Sequence, residues 1–192
     1  KNTRLLQKLL HQFSRAHLPL DASGNSENIK LTAAQDVALN SLADRFENLP
    51  LYFMGFNGSS DVEEIVDAME YAVYVHDVQH IILDNLQFLL TRNREAGRSS
   101  GGFDKYDAQD FAVETFRKFA TERNVHVTLV VHPRKEDENS KLGLSSIFGS
   151  AKATQEADTV LILQNDGKRK FMEVKKNRFD GTLGFVPLFF HA

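Results

Sequence analysis

Apolar residues recur along this chain with two spacings, one typical of helices and one typical of buried strands. Helical spacing marks about the first 17 residues and three later stretches, and a short helix is expected near residue 150. The later helical stretches are residues 32–48, 60–73, 105–124 and 150–156. Thr32 with Gln35, and Ser60 with Glu63, have the spacing of capping boxes, which predicts where two of these helices begin.

Short apolar runs predict strands between and after these helices. The runs are residues 51–56, 81–83, 126–132, 159–163, 170–175 and 185–190. Helices alternate with strands over the first two thirds of the chain, which is typical of an α/β fold with a mainly parallel central sheet flanked by helices. Hairpin turns at residues 165–168 and 180–181 then predict an antiparallel C-terminal edge.

Composition limits the classes of protein that this chain can represent. Its 192 residues make one domain the default and carry a net charge of −3, so any nucleic-acid surface must be local. Cysteine is absent, which excludes disulfides and thiolate metal sites. No apolar run approaches the length of a membrane span, and the first residues lack the pattern of a signal peptide.

Two polar residues stand at the carboxyl ends of predicted central strands. Asp84 directly follows an apolar run, and His132 ends the next buried run. Ligands of parallel α/β sheets bind at that edge, so Asp84 has the form of a Walker B carboxylate that holds hydrated Mg²⁺, and His132 could contact a phosphate. The alternatives are an ordinary strand-end Asp turn and a histidine that caps a backbone carbonyl.

Two basic segments follow these strands. Arg134, Lys135 and Lys141 lie in a loop expected at the same edge, although the acidic residues 136–138 also allow a solvated charged loop. Arg178 lies in a turn with neighbouring lysines, which suits an arginine finger and equally an ordinary basic hairpin. The phosphate-binding spacing Gly-x-x-x-x-Gly-Lys-Ser/Thr does not occur in the chain, and the sequence around Gly149 does not replace it.

Together these stretches resemble a known family. The order is an Asp-tipped strand, a basic Gly/Ser-rich segment, a helix, VVHPRKE, SIFGSAKATQEAD with its strand, and KKNRFDG. This order resembles the C-terminal RecA-like core of the hexameric replicative helicases of the DnaB-like superfamily. Within that superfamily it is most similar to the mitochondrial replicative DNA helicase and its phage primase-helicase relatives. The match is good from residue 53 onward and looser before it.

The resemblance implies a role for each candidate residue. Asp84 would hold Mg²⁺ through water, and His132 would sense the γ-phosphate. Gln155 would couple nucleotide to DNA. Arg178 would be the finger that reaches the neighbouring subunit's nucleotide, with Lys176 as its companion. The remaining candidates are Arg134, Lys135 and Lys141 in the loop that grips DNA, and His191 near the place where the family stacks an aromatic on adenine.

The resemblance also implies cofactors, partners and a location. ATP and Mg²⁺ are the expected cofactors, and single-stranded and forked DNA, a hexameric or heptameric ring and other replisome proteins are the expected partners. A mitochondrial, nucleoid location follows from the resemblance alone. Residues 1–192 would form a partial RecA-like helicase domain, because the family's Walker A loop and catalytic Glu would precede Lys1.

Two other functions stay open at the level of sequence. A RecA-like module without a phosphate-binding loop could serve as a non-catalytic DNA-binding or assembly subunit. A RecA-type recombinase is a third candidate, but VVHPRKE and KKNRFDG fit the helicase pattern better. A phosphate-binding loop encoded upstream of Lys1 would favour the helicase.

Overall fold

A computed structural model describes residues 8–9, 32–55, 61–86, 105–133, 141–147, 151–167 and 169–189. The chain divides into two compact units, Lys1–Gly55 and Phe56–Ala192. In the first unit, helix α1 spans Ala33–Glu47. The predicted capping box is confirmed: the Thr32 hydroxyl accepts a hydrogen bond from Gln35 N, and the Gln35 side chain accepts one from Thr32 N. These bonds satisfy two amides that a helix start leaves without partners.

The second unit contains the remaining elements that the structure describes. Its helices are α2 (Val62–His76), α3 (Lys105–Arg123) and α4 (Ala151–Glu156), with a 3-10 turn at Leu144–Ser146. Its strands are β1 (His80–Asp84), β2 (His126–Val130), β3 (Thr159–Asn165), β4 (Lys170–Asn177) and β5 (Gly184–Leu188).

The strands form one parallel pair and one antiparallel sheet. β1 and β2 are parallel, with His80 opposite His126 and Asp84 opposite Val130. β3, β4 and β5 form an antiparallel sheet in that order. The predicted α/β class, with parallel strands flanked by helices and an antiparallel C-terminal edge, is therefore confirmed.

The hydrophobic core of the second unit lies between α2, α3 and the parallel pair. Ile65 and Met69 of α2 are buried with Phe116 and Phe119 of α3, and alternate residues of β1 and β2 pack against this cluster. Helical spacing over residues 60–73 predicts one apolar stripe on α2, which is confirmed. The same spacing over residues 105–124 predicts that Phe111 shares an apolar face with Ala112 and Phe119, and this prediction is wrong at Phe111, which is 54% exposed.

The exposure of Phe111 follows from helical geometry. The buried residues of α3 recur at helical spacing and are Gln109, Ala112, Val113, Phe116 and Phe119. Successive residues of a helix are turned by about 100° around its axis. Phe111 therefore lies outside the buried face that contains Ala112 and Phe119.

Two further expectations were wrong in detail. Residues 51–55, the described part of the first predicted strand, belong to no helix or strand, and most of their large apolar side chains are exposed. An apolar run becomes a strand only when another strand pairs with it. Helix α2 has Asp61 as its N-cap, with the carboxylate accepting from Val62 N at 2.6 Å; Ser60 lies outside the described residues.

Substitution of Phe116 by Ala should destabilise the fold, because it leaves a cavity in the core of the second unit. We expect the free energy of unfolding to fall by about 3–5 kcal/mol. Phe111→Ala, on the same helix but at an exposed position, should change it by less than about 1 kcal/mol. Urea unfolding measures both variants, and equal losses would contradict the core described here.

Candidate functional site

The carboxyl ends of β1 and β2 bring three polar side chains together. Asp84 ends β1, and His132 follows β2 by two residues. The residue after Asp84 is Asn85, whose amide Nδ2 lies 2.9 Å from His132 Nε2. The expectation that Asp84 and His132 lie at the same edge of the sheet is confirmed, and Asn85 connects the two strand ends through its hydrogen bond with His132.

The donor set at this edge suits a hydrated cation. Asp84 is exposed, and a carboxylate oxygen is a hard ligand of the kind that Mg²⁺ prefers. Within the described ranges, no group of three or more His, Cys, Asp or Glu residues could hold a metal ion alone. A single carboxylate suits Mg²⁺ because this ion dehydrates reluctantly and usually keeps several of its waters. When Asn85 donates to His132 Nε2, the neutral imidazole carries its proton on Nδ1.

A second group of candidate residues lies at the C-terminal end of α4. Lys176 Nζ donates to the backbone oxygens of Thr154 at 2.7 Å and Gln155 at 2.8 Å. Arg178 Nη2 donates to the same Gln155 oxygen at 2.7 Å. The last carbonyls of a helix have no partners within it and lie at the negative end of its dipole, so both cations stabilise this end.

Asp158 joins this group to α3. Its carboxylate pairs with Arg117 and lies 3.5 Å from Arg178 Nη1, and its backbone oxygen accepts from Arg178 N at 2.9 Å. The hydrogen bond from Arg117 is the main cause that lowers the pKa of Asp158, and Arg178 adds to the shift. Burial, followed by repulsion from Arg178, lowers the pKa of Lys176.

Arg178 stands on a turn that side chains hold in place. Asn177 Oδ1 accepts from Phe179 N at 3.1 Å, and Asp180 Oδ1 accepts from Thr182 N at 2.8 Å and from Asn177 Nδ2 at 2.6 Å. Gly181 has φ of +74°, a conformation that glycine adopts without strain. The turn holds the backbone of Arg178, while half of its side-chain surface stays exposed.

A third group surrounds Lys141. Its Nζ pairs with Glu173 Oε1 at 3.1 Å, and Lys175 pairs with the same oxygen at 2.9 Å. Gln164 donates to the other Glu173 oxygen at 2.9 Å. These donors, with Lys175 as the largest cause, lower the pKa of Glu173 to about 2.

Some candidate residues cannot be placed. Arg134, Lys135 and His191 lie outside the described residues. The described candidates fall into the three groups above: Asp84 with His132, Gln155 with Lys176 and Arg178, and Lys141 beside Glu173. Asp158 is the last residue of the motif SIFGSAKATQEAD, although no role was predicted for it. Asn85, Gln164 and Glu173 had only their position beside or within a predicted strand as a signal in the sequence.

No helix in the described part of the chain is both long enough and apolar enough to span a membrane.

Comparisons with known proteins relate the chain to one family and one fold. The family model described as an AAA domain matches residues 5–138. The chain is similar to a solved ATPase domain, with a TM-score of 0.77 and 15% identity over 97% of this chain and 66% of that one. It is similar to a DnaB-like replicative helicase, solved to show its interactions with primase, with a TM-score of 0.78 and 16% identity over 100% of this chain and 47% of that one.

At these identities the likeness shows the fold. It confirms the predicted RecA-like architecture of helicase ATPase domains. The chain spans less than two thirds of the length of either matched protein.

Glu173 should make stability depend on pH in the acid range. Its pKa is lowered from 4.5 to about 2 in the folded state, so its ionised form adds stability above about pH 4.5, and that stability is lost as the pH falls toward 2. The difference in free energy of unfolding between wild type and Glu173→Gln should therefore shrink over this interval. Urea titrations at a series of pH values measure it, and a constant difference down to pH 2 would contradict the assignment.

Proposed function

We propose a function from one premise: this chain belongs to the AAA domain family. The chain is part of an ATP-dependent replicative DNA helicase of the DnaB-like superfamily, which forms a ring, translocates on single-stranded DNA and unwinds duplex DNA. The observation that carries this proposal is the joined edge of β1 and β2, where Asn85 connects the strand of Asp84 to His132. A carboxylate that can hold a hydrated cation and a histidine that could contact a phosphate at the same sheet edge would both serve nucleotide hydrolysis.

The residues of this edge fit the expected cofactors, ATP and Mg²⁺. Asp84 would hold the ion through water, and the ion when bound would neutralise charge on the phosphates. His132 would sense the γ-phosphate by a hydrogen bond from one of its two ring nitrogens. Either Nε2 would exchange its present hydrogen bond with Asn85 for one with the phosphate, or Nδ1 would contact the phosphate directly. Because the phosphate-binding spacing does not occur in these 192 residues, we propose that other residues of the parent protein hold the remaining phosphate oxygens.

Arg178 is the proposed finger toward the nucleotide of a neighbouring subunit. Its guanidinium is half exposed on a fixed turn, which suits presentation to another chain. Lys176 uses two of the three donors of its ammonium on α4 carbonyls, which leaves one for a phosphate. Both cations bind the carbonyl of Gln155, so a shift of this residue on DNA contact would move the finger as well.

The finer identity is also a proposal. The motifs VVHPRKE and KKNRFDG favour the Twinkle type of mitochondrial replicative helicase, with a matrix nucleoid location. We propose that the parent protein forms a hexameric or heptameric ring on single-stranded or forked DNA and works with other replisome proteins. Arg134, Lys135 and Lys141 would contact DNA phosphates in the ring channel, and such contacts depend strongly on salt.

A non-catalytic DNA-binding or assembly module is the second candidate. The observation that favours it is the absence of the phosphate-binding spacing from this sequence. A Gly-x-x-x-x-Gly-Lys-Ser/Thr motif encoded upstream of Lys1 would exclude it.

His132→Ala in the parent protein should uncouple hydrolysis from DNA while the protein stays folded. His132 is exposed at the end of its strand and contributes little to the core, so the melting temperature should hardly change. Stimulation of ATP hydrolysis by single-stranded DNA should fall. His80→Ala, at the opposite end of the same parallel pair, is the matched control and should keep the stimulation. Parallel losses of melting temperature and stimulation would make His132 a structural residue.

Arg178→Ala in the parent protein should slow ATP hydrolysis by roughly 10³-fold to 10⁵-fold, since fingers of this kind stabilise charge only as the phosphoryl group leaves. Nucleotide affinity and ring formation should be retained. Arg169→Ala, in the neighbouring hairpin, is the control and should hydrolyse ATP normally. Lys at position 178 should rescue little, because an ammonium lacks the planar fork.

Mixing two inactive proteins tests whether Arg178 acts across subunits. Rings assembled from Arg178→Ala and Asp84→Asn subunits contain some sites with an intact Asp84 beside an intact Arg178. Partial hydrolysis should therefore return. If subunits exchange and no activity returns, Arg178 does not act on a neighbour's nucleotide.

A further inference from the structure

We propose that Gln164 is a positioning residue for DNA binding: it fixes the main chain at Leu142 and thereby places Lys141 toward the phosphates of single-stranded DNA. This inference rests on the proposed helicase function. Nothing in the sequence singled out Gln164, which lies within an apolar strand. The three hydrogen bonds of its side chain carry the argument.

Gln164 is buried and fully engaged. It is 4% exposed, and its Oε1 accepts from Leu142 N at 3.1 Å while its Nε2 donates to Leu142 O at 2.7 Å. A carboxamide can donate and accept at once, so it pairs with one residue's backbone as a neighbouring strand would. Neither a carboxylate nor an apolar side chain of similar size can make both bonds. We call these two hydrogen bonds between Gln164 and the backbone of Leu142 the clamp. The clamp therefore requires glutamine at this position.

The same clamp extends to the side chain of Lys141. Gln164 Nε2 also donates to Glu173, and the other oxygen of Glu173 pairs with Lys141. The carboxylate of Glu173 stays ionised at neutral pH, since its pKa is about 2. Gln164 on β3 and Glu173 on β4 thus hold both the main chain beside Lys141 and its ammonium.

The segment that follows Leu142 is fixed as well. Ser146 is buried, and its hydroxyl accepts from Gly143 N at 2.9 Å. Ile147 pairs with Pro133 in an antiparallel bridge. Residues 142–147 are therefore held by hydrogen bonds among themselves, to Gln164 and to Pro133, and this segment places the main chain next to Lys141.

Lys141 remains available to a phosphate in this arrangement. Its side chain is 64% exposed, and its ammonium has three donors, of which the ion pair with Glu173 uses one. A DNA phosphate can therefore bind Lys141 without displacing Glu173. A lysine held at a fixed point neutralises a phosphate at lower entropic cost than one on a free chain.

The test measures the affinity of the parent protein for fluorescently labelled oligo(dT) over a range of salt concentrations. Loss of one phosphate contact should reduce the slope of log affinity against log salt by about 1. We expect this reduction for Lys141→Ala and equally for Gln164→Leu. The double variant should show no further reduction, because both substitutions remove the same contact.

A matched control separates positioning from stability. Ile162 is buried on the same face of β3 but does not touch Leu142 through a side-chain hydrogen bond, and Ile162→Ala should lower stability while keeping the wild-type slope. Gln164→Glu retains the size of the side chain, loses both donated bonds and provides a second variant if Gln164→Leu fails to fold. It should reduce the slope as Gln164→Leu does.

The outcomes distinguish this inference from the proposed function. If wild type binds oligo(dT) with a strong salt slope and the Gln164 variants keep that slope, Gln164 does not position Lys141. A further reduction in the double variant would also overturn the inference, because Gln164 would then act elsewhere. If wild type itself shows no salt-dependent binding, the proposed function fails and this inference fails with it.

Discussion

The parallel pairing of β1 with β2 is the constraint on which the proposed nucleotide site depends. α3 carries the chain back across the sheet, so both strands run the same way and end at the same edge. Burial of α2 and α3 against this pair holds the register in which Asp84 lies opposite Val130. A slip of one strand by one residue would turn that strand's core-facing side chains outward and expose them to water.

Satisfaction of backbone polar groups organises the rest of the second unit. Lys176 and Arg178 cap the last carbonyls of α4, and Gln164 occupies both backbone groups of Leu142. These three side chains, which lie near the proposed nucleotide and DNA contacts, therefore also stabilise the fold. Because buried donors and acceptors without partners cost free energy, the buried carboxamide of Gln164 holds the backbone of Leu142 in a defined position.

Arg178 illustrates how one residue can hold the fold and serve a proposed function. Its guanidinium contacts Gln155 and Asp158, both on or just after α4. Moving it toward another subunit would exchange these exposed contacts for a phosphate, and ion pairs at exposed sites contribute little free energy. The turn below it stays in place through Asn177 and Asp180. A finger on such a turn moves its side chain without rebuilding the backbone.

Local physical chemistry let the sequence determine the α/β class, the capping box of Thr32, the stripe of α2 and the polar tips at Asp84 and His132. Each depends on spacing within a few residues. Tertiary structure alone decided the rest. A continuous apolar run such as the one around Leu161 does not indicate which side chains face inward. The burial of Gln164 and its contacts with Leu142 and Glu173 became visible only in the paired strands β3 and β4. Phe111 lies off the buried face of α3 because of helical spacing, whereas residues 51–55 failed as a predicted strand because strand pairing is set by distant neighbours.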